Sequence, residues 1–70
     1  MKLKEGDSLF DPMSRNNGEV TKIINHPNGK LVTIRWRVDD HLPNDTEHFY
    51  SKIVKSIKKG EIEHTPSSEN

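Results

Sequence analysis

The segment Leu31-Val32-Thr33-Ile34-Arg35-Trp36-Arg37-Val38 alternates strictly, with Val32, Ile34, Trp36 and Val38 in one phase and Leu31, Thr33, Arg35 and Arg37 in the other. Successive side chains of a strand point to opposite faces, so this octet reads as a half-buried β-strand. One face carries aliphatics and the only tryptophan, the other two arginines. Such a strand needs partners, and turn-forming residues stand where they would supply them. Asn16-Asn17-Gly18 precedes the β-rich run Glu19-Val20-Thr21-Lys22-Ile23-Ile24, and His26-Pro27-Asn28-Gly29 separates that run from the central strand. Pro27 presets the first corner of a type I turn, Asn28 suits the second, and Gly29 accepts the positive φ of the bulge that follows. The spacing predicts an antiparallel hairpin.

After Val38, Asp39-Asp40-His41-Leu42-Pro43-Asn44-Asp45 is polar and proline-bearing, a loop closing a second hairpin whose returning strand is Thr46-Glu47-His48-Phe49-Tyr50. The next stretch, 51–60, reads two ways. Phe49, Ile53 and Ile57 at i, i+4 and i+8 would stripe a helix, whereas the β-branched content favours a short 3-10 turn and a last strand, which is the reading adopted. Residues 61–70 hold one strongly apolar side chain, Ile62, and three glutamates, and read as an acidic flexible tail. The expected organisation is one all-β domain over 1–60 with a disordered tail over 61–70. Its expected core is Val20, Val32, Ile34, Trp36, Val38, Val54 and Ile57.

At 70 residues the chain is at most one small domain, and folding hides only about 60% of the surface that a chain this short exposes when unfolded. The absence of cysteine excludes a disulfide framework and a thiolate metal site. No apolar run approaches the roughly 18 residues of a membrane span, and the start Met1-Lys2-Leu3-Lys4-Glu5-Gly6-Asp7 lacks the apolar centre of a secretory signal. The expectation is a cytoplasmic protein without a membrane partner. Formal net charge is zero, but its distribution is uneven: all eleven Lys and Arg lie within 1–60 against eight acids, while 61–70 contain three glutamates and no Lys or Arg. The body is mildly basic, well short of a strong nucleic-acid binder, although a local stripe still sets the field around it.

Four or five short strands with regularly spaced turns fit a small barrel. The pieces Gly6-Asp7-Ser8-Leu9-Phe10, Gly18-Glu19-Val20, Val32-Thr33-Ile34-Arg35-Trp36 and Tyr50-Ser51-Lys52-Ile53-Val54-Lys55-Ser56-Ile57 resemble the SH3-like barrels of the KOW and Tudor type. The resemblance covers 6–57 and implies an SH3-like barrel of four to five antiparallel strands with a short 3-10 turn before the last. It also implies a non-catalytic binding module. In such a barrel Gly6 and Gly18 allow close approach or positive φ, Leu9 and Val20 point inward, and Val54 with Ile57 plug the open end. The loop from Asp11 to Asn17 lacks the basic, glycine-rich character that nucleic-acid-binding KOW modules often have there.

Chemistry-bearing residues do not assemble into a recognisable catalytic or metal motif. His26, His41, His48 and His64 lie in a turn, on two limbs of a loop and in the tail, and read as surface histidines. No serine sits in a strand-to-helix elbow and no triad is nameable. Asp39 and Asp40 opposite Asp45 and Glu47 read as solvated turn formers. The chain is therefore expected to be neither an enzyme nor a cofactor binder.

Two binding readings remain. Arg35 and Arg37 project from one face about 6–7 Å apart, Lys22 or Thr21 joins them from the neighbouring strand, and with Lys52 and Lys55 they form a basic surface for phosphates. Set against this, the arginines pair with Glu19 or Glu47 and merely keep a sheet face wet. An aromatic cage for methylated side chains would need several exposed rings converging, and Trp36 is assigned to the core. Phe49 and Tyr50 are adjacent and face opposite sides, so the exposed one suits a protein contact together with the loop at Asp39 and Asp40. The expected function is a nucleic-acid-associated module near the transcription or translation machinery; the alternative is a protein-interaction adaptor or inhibitor of bacterial or phage type.

Overall fold

The computed structural model describes residues 2–38 and 42–67. They form β1 (Ser8–Asp11), β2 (Asn16–His26), β3 (Gly29–Arg37), β4 (Asn44–Phe49), the helix α1 (Tyr50–Lys58) and β5 (Glu63–Thr65). All five strands belong to one antiparallel sheet in the order β4-β3-β2-β1-β5. The β2–β3 hairpin turns through Pro27 and Asn28 between the paired residues His26 and Gly29, and Gly29 takes the expected positive φ of 128°. Among the described residues no helix is long and apolar enough to cross a membrane.

A register shift between Val20 and Lys22 interrupts the β2–β3 ladder and leaves Thr21 as the extra residue of a bulge. The bulge changes the phase of β2. Val20 pairs with Ile34 and Ile23 with Val32, so inward positions three apart on β2 face inward positions two apart on β3. That is why the run from Glu19 to Ile24 does not alternate although the central strand does.

Leu3, Leu9, Val20, Val32, Ile34 and Ile53 are buried, and Ile23, Trp36, Tyr50, Val54, Ile57 and Ile62 pack against them. Val20, Val32 and Ile34 thus occupy the centre where they were expected. Trp36, Val54 and Ile57 are partly buried around it, and Val38 lies outside this cluster. Gly18 is paired with Trp36, and a Cβ at that position would stand 2.8 Å from both Trp36 Cε3 and Ile34 Cγ2. Gly18 therefore serves close approach of side chains rather than positive φ.

The structure corrects two expectations. Instead of a 3-10 turn and a strand, Tyr50–Lys58 is an α-helix. Ile53, Val54 and Ile57 put an apolar face against the sheet, and burying that face outweighs the modest helix penalty of β-branched side chains. Lys55 and Lys58 in the last turn suit the negative end of the helix. Gly60 ends it with φ 80°, its N–H donating to Ile57 O at 3.1 Å and the Glu61 N–H to Ser56 O at 2.9 Å, which is a Schellman motif. Nor does the segment after Gly60 behave as a loose tail up to residue 67. Ile62 packs on the core, β5 pairs with β1, and His64 and Ser67 donate to the buried carboxylate of Asp7.

Candidate functional site

The outer face of the β2–β3–β4 hairpins is built of cross-strand rows. Glu19, Arg35 and Asp45 form one, Lys22, Thr33 and Glu47 the next, and Ile24, Leu31 and Phe49 the one nearest the β2–β3 turn. Residues paired across antiparallel strands share a face, so each row presents its side chains together. Arg35 reaches Asp45 through two bonds, Nε to Oδ1 at 2.9 Å and Nη2 to Oδ2 at 3.3 Å. The hydrogen bond to Asp45 holds the Arg35 guanidinium above its ordinary value, and the same bond holds Asp45 below its own. Both side chains are half exposed, where such pairs add little to stability.

Of the five basic residues singled out for phosphate binding, Lys22, Arg35 and Arg37 lie on this face, interleaved with Glu19, Asp45 and Glu47. Lys52 and Lys55 lie on α1. The five do not form one stripe. Asp39 and Asp40 lie outside the described residues.

Phe49 and Tyr50 part company as adjacent residues do. Phe49 is half-buried on the outer row beside Leu31, and the His26 ring meets it edge-on at 6.4 Å. Tyr50 turns to the core, and its hydroxyl accepts the Leu3 N–H at 2.8 Å. Lys30 Nζ lies 5.5 Å from the Tyr50 ring centre, a cation–π arrangement. Between the β2–β3 turn and the start of α1 runs an open groove of about 480 Å³, lined by Asn28, Lys30, Phe49, Tyr50, Ser51 and Lys52 among others. The lining holds two lysines and no acid.

Ile24 and Leu31 were not singled out from the sequence, although a signal was present. Leu31 is the one aliphatic residue in the arginine phase of the central strand, and Ile24 follows Ile23 with no polar residue between them. Ile24 is 41% exposed. The histidines take separate roles: His26 against Phe49, His48 within 2.8 Å of the Thr46 hydroxyl, and His64 on Asp7, where its side chain is nearly buried rather than at the surface as expected. Among the described residues no three His, Asp or Glu side chains converge as a metal site would require. No protein-family model matches the chain, and comparison with curated proteins and with solved structures likewise gives no match.

Proposed function

We propose that the chain is a non-catalytic binding module of the SH3-like barrel type whose ligand is a protein segment docked on the Ile24–Leu31–Phe49 row. The observation that carries this is the row itself. Three apolar side chains from adjacent strands stand side by side on a face that is otherwise polar and mostly charged. Single exposed apolar residues need no explanation, but a contiguous row with a polar surround is the pattern of a contact surface. The adjoining groove adds Lys30 and Lys52 without a countercharge in its lining, which favours a segment with an aliphatic or aromatic anchor flanked by carboxylates. A strand order with β1 between β2 and β5 and a bulged β2 supports the barrel reading, in line with the resemblance of 6–57 to KOW and Tudor barrels. Phosphate binding on the strand face is the weaker reading, because Arg35 is already engaged by Asp45 and acids alternate with the remaining cations.

Selection of random displayed peptides against the whole chain tests this. Enriched peptides should share an apolar anchor next to Asp or Glu, and Phe49→Thr or Leu31→Thr should weaken them at least about tenfold, equivalent to about 1.4 kcal/mol. The circular dichroism of both variants should remain that of the parent. Peptides that bind both variants as well as the parent, or a selection that enriches nothing, would exclude the row as the docking surface.

A further inference from the structure

The helix α1 carries a second surface, which shares only Lys52 with the groove beside the apolar row. Lys52, Lys55, Lys58 and the cap residue Lys59 are all exposed, and Tyr50–Lys59 contain no acidic residue. At about 100° per residue the four lysines fall within an arc of about 120°, separate from the arc of Tyr50, Ile53, Val54 and Ile57 that packs inward. Along the axis they span about 10 Å. No salt bridge or hydrogen bond engages their side chains among the described residues.

A helix face that serves only to stay wet gains from mixing signs, because Glu and Lys four apart attract and like charges at that spacing repel. Here Lys52 and Lys55, Lys55 and Lys58, and Lys55 and Lys59 stand three or four apart with nothing between them to compensate. The helix dipole accounts for the three lysines near the C-terminal end. It works against Lys52, which sits in the first turn where a cation is disfavoured. The sheet face does not segregate its charge in this way: there Lys22, Arg35 and Arg37 alternate with Glu19, Asp45 and Glu47. Four of the eleven basic residues are thus concentrated in eight positions of a chain with zero net charge.

From this charge segregation we infer that the outward face of α1 docks on the phosphate backbone of nucleic acid, without reading sequence. Duplex DNA offers one charge per about 1.7 Å of axis, so the 10 Å lysine face meets about six phosphate charges. Lysines are flexible point charges without the fork that reads base edges, which suits backbone contact. Because the apolar face of the helix is already spent on the core, insertion into a lipid surface is not open to it.

Fluorescence anisotropy of a labelled DNA duplex with the whole chain tests the inference at about 50 and about 200 mM salt. Four phosphate contacts give a log–log slope of about −3.6, an affinity loss of about 150-fold over that range; Lys55→Gln combined with Lys59→Gln should halve the slope, leaving a loss of about 12-fold. Glutamine retains helix propensity, and circular dichroism checks that α1 persists. Lys22→Gln on the sheet face should leave the slope unchanged. Absence of duplex binding by the parent at the lower salt would overturn the inference. So would an unchanged slope in the double variant, or a slope lost in Lys22→Gln. Binding of poly-glutamate as tight as that of the duplex, and weakened alike by Lys55→Gln with Lys59→Gln, would overturn it too, by reassigning the face to acidic proteins.

Discussion

Asp7 and His64 stand 57 residues apart in the chain and meet through a 2.8 Å hydrogen bond between Nε2 and Oδ2, Asp7 fully buried and His64 nearly so. The same carboxylate accepts the Lys4 N–H at 2.9 Å and the Ser67 N–H at 2.7 Å. One side chain therefore fastens the segment before β1 and the segment after β5 to the start of β1. The Asp7 carbonyl also accepts the Val20 N–H at 2.9 Å, which carries the tie into β2. An ionised carboxylate only accepts, so His64 donates from Nε2.

This arrangement makes stability depend on acid. Burial pushes the Asp7 carboxyl up, but the hydrogen bonds from His64, Ser67 and Lys4, with the charge of a protonated His64, prevail and hold it below its ordinary 3.8. A carboxyl with a lower pKa in the folded than in the unfolded chain contributes stability in full above the unfolded value. That stability is lost as pH falls through the folded one. Urea midpoints should therefore drop below about pH 4 in the parent. Asp7→Asn should be less stable at neutral pH by about 2–4 kcal/mol and should lack this component of the acid slope. Equal acid slopes in both proteins would show that Asp7 is not the titrating latch.

Removal of β5 tests the same tie from the other end. A chain cut after Ile62 loses the β1 pairings of Glu63, His64 and Thr65 and two of the donors to Asp7, leaving a buried carboxylate under-satisfied, which costs several kcal/mol. The shortened protein should unfold at clearly lower urea. A midpoint equal to that of the whole chain would mean that residues after 62 contribute nothing to the fold.

The central hairpin was legible because local chemistry and packing agree there: Pro27, Asn28 and Gly29 make the turn, and the phase of Val32, Ile34 and Trp36 sets the buried face. In the helix two local signals conflict: β-branching in 51–60 speaks for a strand, whereas the spacing of Phe49, Ile53 and Ile57 and the stop signal Gly60 just beyond Lys58 and Lys59 speak for the helix that forms. What composition hid was β5. A segment of glutamates, a histidine and a threonine reads as solvent-loving, and its anchor, Asp7, lies 57 residues away from His64. Pairing of that kind leaves no local pattern. Of the residues on the two proposed surfaces, Phe49, Lys52 and Lys55 stand out in the sequence by residue type alone. The bulge at Thr21, which brings Ile24 into line with Leu31 and Phe49, appears only once the register is known.

Gly18 offers a test of the packing against Trp36. Its backbone has no positive φ to explain the glycine, so the effect of a side chain there is steric. A Cβ 2.8 Å from Ile34 and Trp36 forces two packed side chains to move, and overpacking of this kind costs about 1–3 kcal/mol. Gly18→Ala should lower the urea midpoint accordingly and shift the Trp36 fluorescence. An alanine variant as stable as the parent would show that Trp36 yields freely.

Thr46 in β4 links Trp36 of β3 to His48 of its own strand through its hydroxyl. Trp36 Nε1 donates to Thr46 Oγ1 at 2.8 Å, and Thr46 Oγ1 lies 2.8 Å from His48 Nε2. Burial holds His48 below its ordinary 6.5, which favours the neutral ring, and a neutral Nε2 accepts the hydroxyl proton to complete a chain from Trp36 through Thr46 to His48. Thr46→Val keeps the shape but leaves the indole N–H and the imidazole without that partner, a loss of about 1–2 kcal/mol. The pH sign follows from the depressed value: stability from a neutral His48 is complete above about pH 6.5 and is lost as pH falls through the lower folded value. Replacing His48 with Gln should remove that component, so the difference in urea midpoint between parent and His48→Gln should narrow from about pH 7 downward, well before the Asp7 component begins near pH 4. A difference that stays constant across this interval would exclude His48 as a titrating member of the chain.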